Sequence, residues 1–284
     1  VNGPVRAPLP DGRWHFQHGP IDLVIGADGD AAAVAAALED CWAAFGAVLP
    51  ALVAELPQLR SPCTPALRLR GPVAQTMARA CAPFAEEFGL FITPMAAVAG
   101  AVADHLIRCF RRPGVARAYI NNGGDIALAL TDGQAFDIGV VADIDAPRLD
   151  GALRIAARDP VRGVATSGWR GRSFSFGVAD AVTVLAADAA AADAAATIVA
   201  NHVNVDAPGI ERAPADRLRD DTDLGSRLVT VRVPPLAPEL VHAALERGAA
   251  FARRCLERGL IHAALLTLQG RSRMLDTQDM AALT

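Results

Sequence analysis

Two stretches of small residues limit how this chain can fold more than any other feature of it. The first, "ITPMAAVAGAVADHLIRCF", carries Ala96, Ala97, Ala99, Gly100, Ala101 and Ala103. Side chains this small let another backbone, or a ligand, come very close. The second, "ADAAAADAAATIVAN" at 187–201, is an alanine helix that keeps Asp193, Thr197 and Asn201 four residues apart. Positions at that spacing lie on one helix face and form a polar stripe. The stripe faces either water or a site.

Around these stretches the pattern is mixed. Residues 14–26 read as two short strands about a Gly19–Pro20 turn. Asp30 caps a long helix whose apolar stripe is Val34, Leu38, Trp42, Phe45, Leu49, Leu52 and Leu56, with Pro50 as a possible kink. Residues 57–71 hold three prolines and read as a loop, and a second helix is expected over 72–87. Thr93 and Pro94 form a cap and first-turn pair for a helix over 94–111 that ends in Arg108, Arg111 and Arg112. Strands follow between 115 and 142, with a hairpin turn at Asp132–Gly133. Further strands are expected near 162–166, 173–177 and 180–186, then the alanine helix at about 189–202. Residues 206–226 read as loop, "RLVTVRV" as a strand, 238–258 as a helix opened by Pro238, and "LIHAALLTL" as a final strand. Strands and helices alternate irregularly, so the expected fold is α+β in one domain over 1–284, a mixed or antiparallel sheet packed by several helices. In that reading 14–205 bear the motifs, and about 227–270 form a strand–helix–strand tail.

Composition removes several classes of chemistry. The 284 residues are 52% apolar and 20% charged, an ordinary globular balance, and the net charge of −4 gives no sign of a nucleic-acid binder. All 27 basic residues are arginine. Schiff-base lysines, pyridoxal-phosphate chemistry and a P-loop lysine are therefore excluded, and an anionic ligand must be held by arginine, backbone N–H groups, helix N-termini or a metal. Cysteines 41, 63, 81, 109 and 255 are scattered, without a CxxC pair, and read as buried small hydrophobes in a reducing compartment. No signal peptide is visible and no run approaches ~18 uninterrupted apolar residues, so the expectation is a cytoplasmic protein without a membrane span.

Four patches can carry chemistry. In "NNGGDIAL", Asn121, Asn122, Gly123, Gly124 and Asp125 make either a hydrogen-bonded turn or a place where a ligand meets the backbone. In "GVATSGWRGRSFSFG", Thr166, Ser167 and Gly168 form an ordinary loop or a phosphate-holding turn, to which Arg170 and Arg172 add charge-assisted bonds. Asp193 and Thr197 face water or share one hard cation such as Mg²⁺. The small-residue helix with Asp104 packs against a helix or lines a site. The six histidines do not cluster, and no Ser-His-Asp, Cys-His or dinucleotide fingerprint is present.

The order of these patches carries a resemblance. "TPMAAVAGAVAD", "NNGGDIAL" and "GVATSG…SFSFGVADAVTVLA" are similar to the UPF0280 branch of the ApbE-like superfamily, whose best-known members are FAD:protein FMN transferases. The resemblance implies that Asp193 and Thr197 bind Mg²⁺, that a backbone carbonyl near Val102 completes that site, and that the GGD turn and TSG loop, with Arg170, line the site of FAD or another phosphorylated cofactor. The departures bear on FMN transfer itself. No "HIIDP"-like segment follows the TSG motif, and Ala99 stands where the transferases have the lysine of "KGY". The implied function is a Mg²⁺-dependent transferase or hydrolase acting on a flavin-like or other diphosphate cofactor. The alternative is a non-catalytic flavin- or pterin-type binding protein, or a cofactor-biosynthesis protein of one-carbon metabolism. No general base is identified. Asp104, Asp125 and Asp180 are candidates to orient an acceptor. The expected partner is a small phosphorylated ligand, with neither nucleic acid nor membrane, and a homodimer is among the open assemblies.

Overall fold

A computed structural model describes residues 3–140, 151–171 and 173–276. In chain order its elements begin with strands β1 (Val5–Pro8), β2 (Trp14–His18) and β3 (Ile21–Gly29), then helices α1 (Ala31–Ala54), α2 (Leu56–Leu59) and α3 (Pro72–Glu86). A 3-10 turn, Pro94–Ala97, precedes α4 (Val98–Ile107), and another, Arg108–Phe110, follows it. Then come β4 (Val115–Asn122), β5 (Asp125–Leu130), β6 (Ala135–Val140), β7 (Gly151–Ala156), β8 (Gly163–Ser167) and β9 (Ala181–Ala186). The chain continues through α5 (Ala189–His202), β10 (Glu211–Pro214), α6 (Ala215–Leu218), β11 (Leu228–Arg232), α7 (Pro238–Glu257), β12 (Ala263–Leu268) and β13 (Arg271–Asp276). Helices and antiparallel strands are interspersed, and the fold is α+β.

The chain divides into two compact units, each drawn from several segments. The first holds Val1–Asp137, Arg154–Ala165 and Ala187–Asp193; the second holds Ile138–Leu153, Thr166–Ala186 and Ala194–Thr284.

In the first unit, β1 to β5 form an antiparallel meander, and β8 joins β5 through Ile126↔Val164 and Ala127↔Gly163. Asp30 starts α1 as expected, its carboxylate accepting from the Ala33 N–H at 2.9 Å. The buried face of α1 is Ala37, Cys41, Phe45, Val48 and Leu52. That is one face around from the expected stripe, with Phe45 and Leu52 common to both. Phe45 and Trp42 pack on Phe16 of β2, with ring centroids 5.6 and 5.1 Å away. The helix runs on through Pro50. By length and composition α1 is apolar enough to cross a membrane, although Glu39 and Asp40 interrupt it.

The helix expected over 94–111 is shorter than its pattern. Thr93 makes no side-chain cap bond, Pro94–Ala97 form a 3-10 turn, and α4 starts only at Val98. The delay leaves the N–H groups of Ala99 and Gly100 in the first turn of α4, open to a partner from elsewhere in the chain.

That partner is α5, and small residues let it in. A Cβ placed on Gly100 would fall onto the Ala189 carbonyl, and one on Gly163 of β8 would fall onto the Asp188 carbonyl. The start of α5 is thus clasped between α4 and β8, backbone against backbone. Its first-turn donors are all used. Ala189 and Ala190 donate to the two oxygens of Asp104, at 3.1 and 2.8 Å. Ala191 donates to Asp188 Oδ1 at 2.8 Å and Ala192 to the Asp188 carbonyl. Of the small-residue helix's two readings, close packing accounts for Gly100, and Asp104 caps the start of α5.

In the second unit, β9, β12 and β13 lie side by side and antiparallel, and the Thr166 and Thr183 hydroxyls join the end of β8 to β9 at 2.8 Å. The amphipathic face of α7, including Leu245, Phe251 and Leu256, is buried, and His202 of α5 stacks on Phe251 at 3.8 Å. Three expectations are corrected here. Residues 173–177 form no strand, because their polar groups are taken by Asn201 and Ser175 instead of a ladder. The stretch 206–226 contains β10 and α6, with β10 paired to β11. β12 is not the last strand: Gln269 and Gly270, both at positive φ, turn the chain back into β13. Arg172 and residues 141–142, included in the sequence expectations, lie outside the described residues.

Gly100→Ala is expected to destabilise the protein by about 2–3 kcal/mol, because only backbone movement can accommodate the new methyl. Gly46→Ala, in α1 with only Pro4 Cγ near its added Cβ at 3.8 Å, should stabilise by about 0.5–1 kcal/mol. Denaturant midpoints of the two variants check the opposite signs.

Candidate functional site

The NNGGD segment is the turn between β4 and β5. Asn122 pairs with Asp125, and Gly123 and Gly124 span the gap at φ of 66° and 115°, a left-handed path that a two-residue hairpin needs. Asn121 Oδ1 accepts from the Gly124 N–H at 2.8 Å and braces the turn. Buried Asn122 reaches away from it, donating from Nδ2 to the Ala99 carbonyl at 3.1 Å. The turn is thereby fixed to the start of α4.

Asp193 arrives at the same place from α5. Its Oδ2 accepts from the Gly100 N–H at 3.0 Å, and the Ala99 N–H also donates to it. Asp125 lies close enough for its charge to act on Asp193. Asp193 is half-buried by accessibility but closely enclosed by protein. That enclosure holds its carboxyl well above the usual carboxylate range; the Asp125 charge adds to the rise, the two N–H donors oppose it, and Asp104 contributes a smaller push upward. Carboxyl oxygens of this kind are hard donors, the type that divalent cations such as Mg²⁺ take.

Of the residues singled out in the sequence, Val102, Asn121, Asn122, Gly123, Gly124, Asp125 and Asp193 belong to the first unit. Asn122, Asp125 and Asp193 converge there on the start of α4. Val102 is fully buried further along α4, and the groups that meet Asp193 are N–H donors of Ala99 and Gly100 rather than the Val102 carbonyl. These N–H groups were not anticipated; their signal was the Gly100-to-Asp104 spacing, which marks where α5 sits down.

Thr166, Ser167, Gly168, Arg170 and Thr197 belong to the second unit. Thr166 is exposed and Ser167 half-buried. Gly168 is glycine because the Asp180 carbonyl lies where its Cβ would be. Arg170 Nε sits 3.4 Å from Asp180 and its guanidinium covers the Trp169 ring. Asp180 gathers the loop: it accepts from Trp169 Nε1 at 3.2 Å and from the Gln269 N–H at 2.5 Å. Trp169 and Gln269 were not foreseen as its partners. Thr197 is half-buried one turn beyond Asp193 on α5. Asn201, the last of the polar stripe, serves structure: its Oδ1 accepts from Ser175 Oγ at 3.0 Å and the Phe176 N–H at 2.8 Å.

Comparison with known proteins follows this architecture. The apo crystal structure of the Pseudomonas stutzeri flavinyl transferase ApbE matches with a TM-score of 0.53 at 15% identity, over 99% of this chain and 95% of that one. The fold is thus that of an ApbE-like α+β protein. The family model described as "AbpE bacteria" matches residues 6–274, and the chain belongs to this family, within the UPF0280 and ApbE-like group. The UPF0280 protein of Methanosphaerula palustris is 44% identical over 126 residues, 44% of this chain and 51% of that protein. The UPF0280 protein of Methanosarcina acetivorans is 37% identical over 123 residues, 43% of this chain and 47% of that protein. The chain spans about half the length of these curated relatives.

Asp104, at the start of α5, is shifted in the same direction as Asp193. Burial and the Asp188 charge push the Asp104 carboxyl up to about 6, against the Ala189 and Ala190 N–H groups and Arg111. Between its ordinary value of 3.8 and about 6 the folded state holds the proton more tightly than the unfolded chain, so stability falls as pH rises through that window. Asp104→Asn is expected to cost about 1–3 kcal/mol at pH 7, since an amide puts a donor against one of the two N–H groups. The gap to wild type should widen by about 1–3 kcal/mol on acidification to pH 4. Urea unfolding in chelator across that range checks it; a gap that narrows would show the ionised form to be the favoured one.

Proposed function

We propose that this protein is a divalent-cation-dependent enzyme that acts on the diphosphate of a flavin-type or similar phosphorylated cofactor. The observation that carries this reading is the Asp193 carboxyl, carried by α5 onto the Gly100 N–H at the start of α4, where the charge of Asp125 from the GGD turn also acts on it. A carboxyl group so placed and so shifted fits a cation-binding role. Membership of the AbpE family supports it, as does the fold shared with a flavinyl transferase.

In this reading Asp193 and Asp125, both of the first unit, hold Mg²⁺. Val102 is left out of the set, because its carbonyl lies within the hydrogen-bonded run of α4. The ion, when bound, neutralises charge on diphosphate oxygens as a P–O bond breaks. The chain's own groups do the positioning. The N–H groups of Ala99 and Gly100 fix the Asp193 carboxylate, and Asn122 holds the GGD turn to α4. Within the second unit, Thr166, Ser167 and Arg170 are of the kind that holds phosphate in a chain without lysine. The five free cysteines suit a reducing compartment, and we place the protein in the cytoplasm.

A second reading, cofactor binding without catalysis, is favoured by Ala99, which stands where the transferases carry lysine. Incubation with FAD and Mg²⁺ separates the two. Catalysis predicts AMP release that EDTA abolishes; bound flavin without AMP selects the binding protein; neither bound flavin nor AMP removes both.

Asp193→Asn keeps an acceptor for the Gly100 N–H while deleting the charge. It should lose Mg²⁺-dependent flavin binding by at least about tenfold, the scale of a lost charge-assisted contact. Its thermal midpoint in EDTA should fall no further than that of Asp104→Asn, because relief from the Asp125 charge offsets part of the amide's poorer fit to the Ala99 and Gly100 N–H groups. A variant that binds normally in Mg²⁺ would show the carboxylate to be structural.

A further inference from the structure

In the first unit, a cavity of about 530 Å³ opens between residues 67–69, the first turns of α3 and the 3-10 turn that follows α4. Three arginines from three separate segments face it: Arg68, Arg79 and Arg108. Two are already oriented. Arg68 Nη1 donates to the carbonyls of Pro65 and Leu67, at 2.7 and 3.1 Å. Arg79 Nη2 donates to Thr76 Oγ1 at 2.9 Å, and that hydroxyl donates to the Pro72 carbonyl at 3.0 Å. Each guanidinium keeps further N–H groups for a ligand.

Elsewhere in this unit arginines meet acids. Arg6 pairs with Glu39, Arg13 with Asp11, Arg112 with Asp40 and Arg117 with Asp28. Among the described residues none of the three cavity arginines pairs with a carboxylate. In a chain with more acidic than basic residues, three unpaired cations around one concavity form a local positive field suited to a multiply charged anion.

We propose that this cavity is a binding site for the diphosphate group of a small organic molecule, distinct from the Asp193 and Asp125 site. Guanidinium forks match phosphate oxygens in pairs, and three of them match a diphosphate's charge. The cavity is larger than a diphosphate alone and lies in the range of about 300–1,000 Å³ usual for small-molecule sites. Its remaining wall includes Leu67, Leu69 and Pro72, which suit an apolar organic portion.

The test is calorimetric titration of the full chain with inorganic pyrophosphate, in EDTA so that no cation-dependent site contributes. Saturable binding is expected, weakening as NaCl is raised and stronger than binding of inorganic phosphate. The double variant Arg79→Gln, Arg108→Gln changes two exposed side chains and should keep the wild-type melting point. It should bind pyrophosphate at least about tenfold more weakly, for loss of charge-assisted bonds. Asp193→Asn should bind as wild type does. Absence of binding, binding unaffected by the double arginine variant, or binding lost in Asp193→Asn would each overturn the proposal. The last outcome would assign the anion to the Asp193 site instead.

Discussion

Two aspartates exchange places across a pair of helices, and the rest of the first unit depends on that exchange. Asp104, on α4, takes the first N–H groups of α5, while Asp193, on α5, takes the first N–H groups of α4. Each helix start presents partial positive charge, and each receives a carboxylate. A single capping bond contributes about 1 kcal/mol, but here the bonds also set position. They hold the start of α5 against α4 and β8 at separations that only Gly100 and Gly163 permit. The small residues are therefore the geometric condition for the exchange, and the GGD turn is tied to the same point through Asn122.

The two carboxylates are alike in geometry and unlike in surroundings. Asp104 is nearly inaccessible, and both its oxygens are committed to backbone donors. Asp193 keeps some exposure and has Asp125 beside it. The same capping role thus leaves one aspartate closed and the other with capacity for a further partner. In the second unit Asp180 is a structural centre of a different kind, closing the TSG loop through Trp169, Arg170 and Gln269. Family membership and fold place the chain in the ApbE-like group, and in a chain without lysine the side chains available to an anion are arginines.

Features governed by local chemistry were legible in the sequence. Asp30 starts α1, the β2–β3 and β4–β5 hairpins turn where glycine allows, and the alanine helix runs from 189 to 202 as its pattern indicates. What escaped was set by distant partners. The delayed start of α4 serves Asp193, which is 93 positions from Gly100. Residues 173–177 have strand-forming composition, but Asn201 claims their polar groups first. Asp104 and Asn201 were visible as polar residues in apolar helices, yet only their contacts show that one caps and the other braces a loop. The motif order located Asp193 and the GGD turn; the cluster around Asp180, which reaches a partner 89 positions away, had no pattern to reveal it.

The reciprocal caps also order events in time. α4 has no side-chain cap of its own, and the carboxylate that completes it is carried 93 positions further along the chain. On a ribosome, which adds residues from the N-terminus onward, the strands and helices before α4 emerge long before Asp193 exists. The first unit must therefore wait, with the start of α4 unfinished, until the alanine helix has been synthesised. Contacts this distant in sequence slow folding. The helix with almost no side chains is in this sense the latch of the unit, the last piece made and the one that closes it.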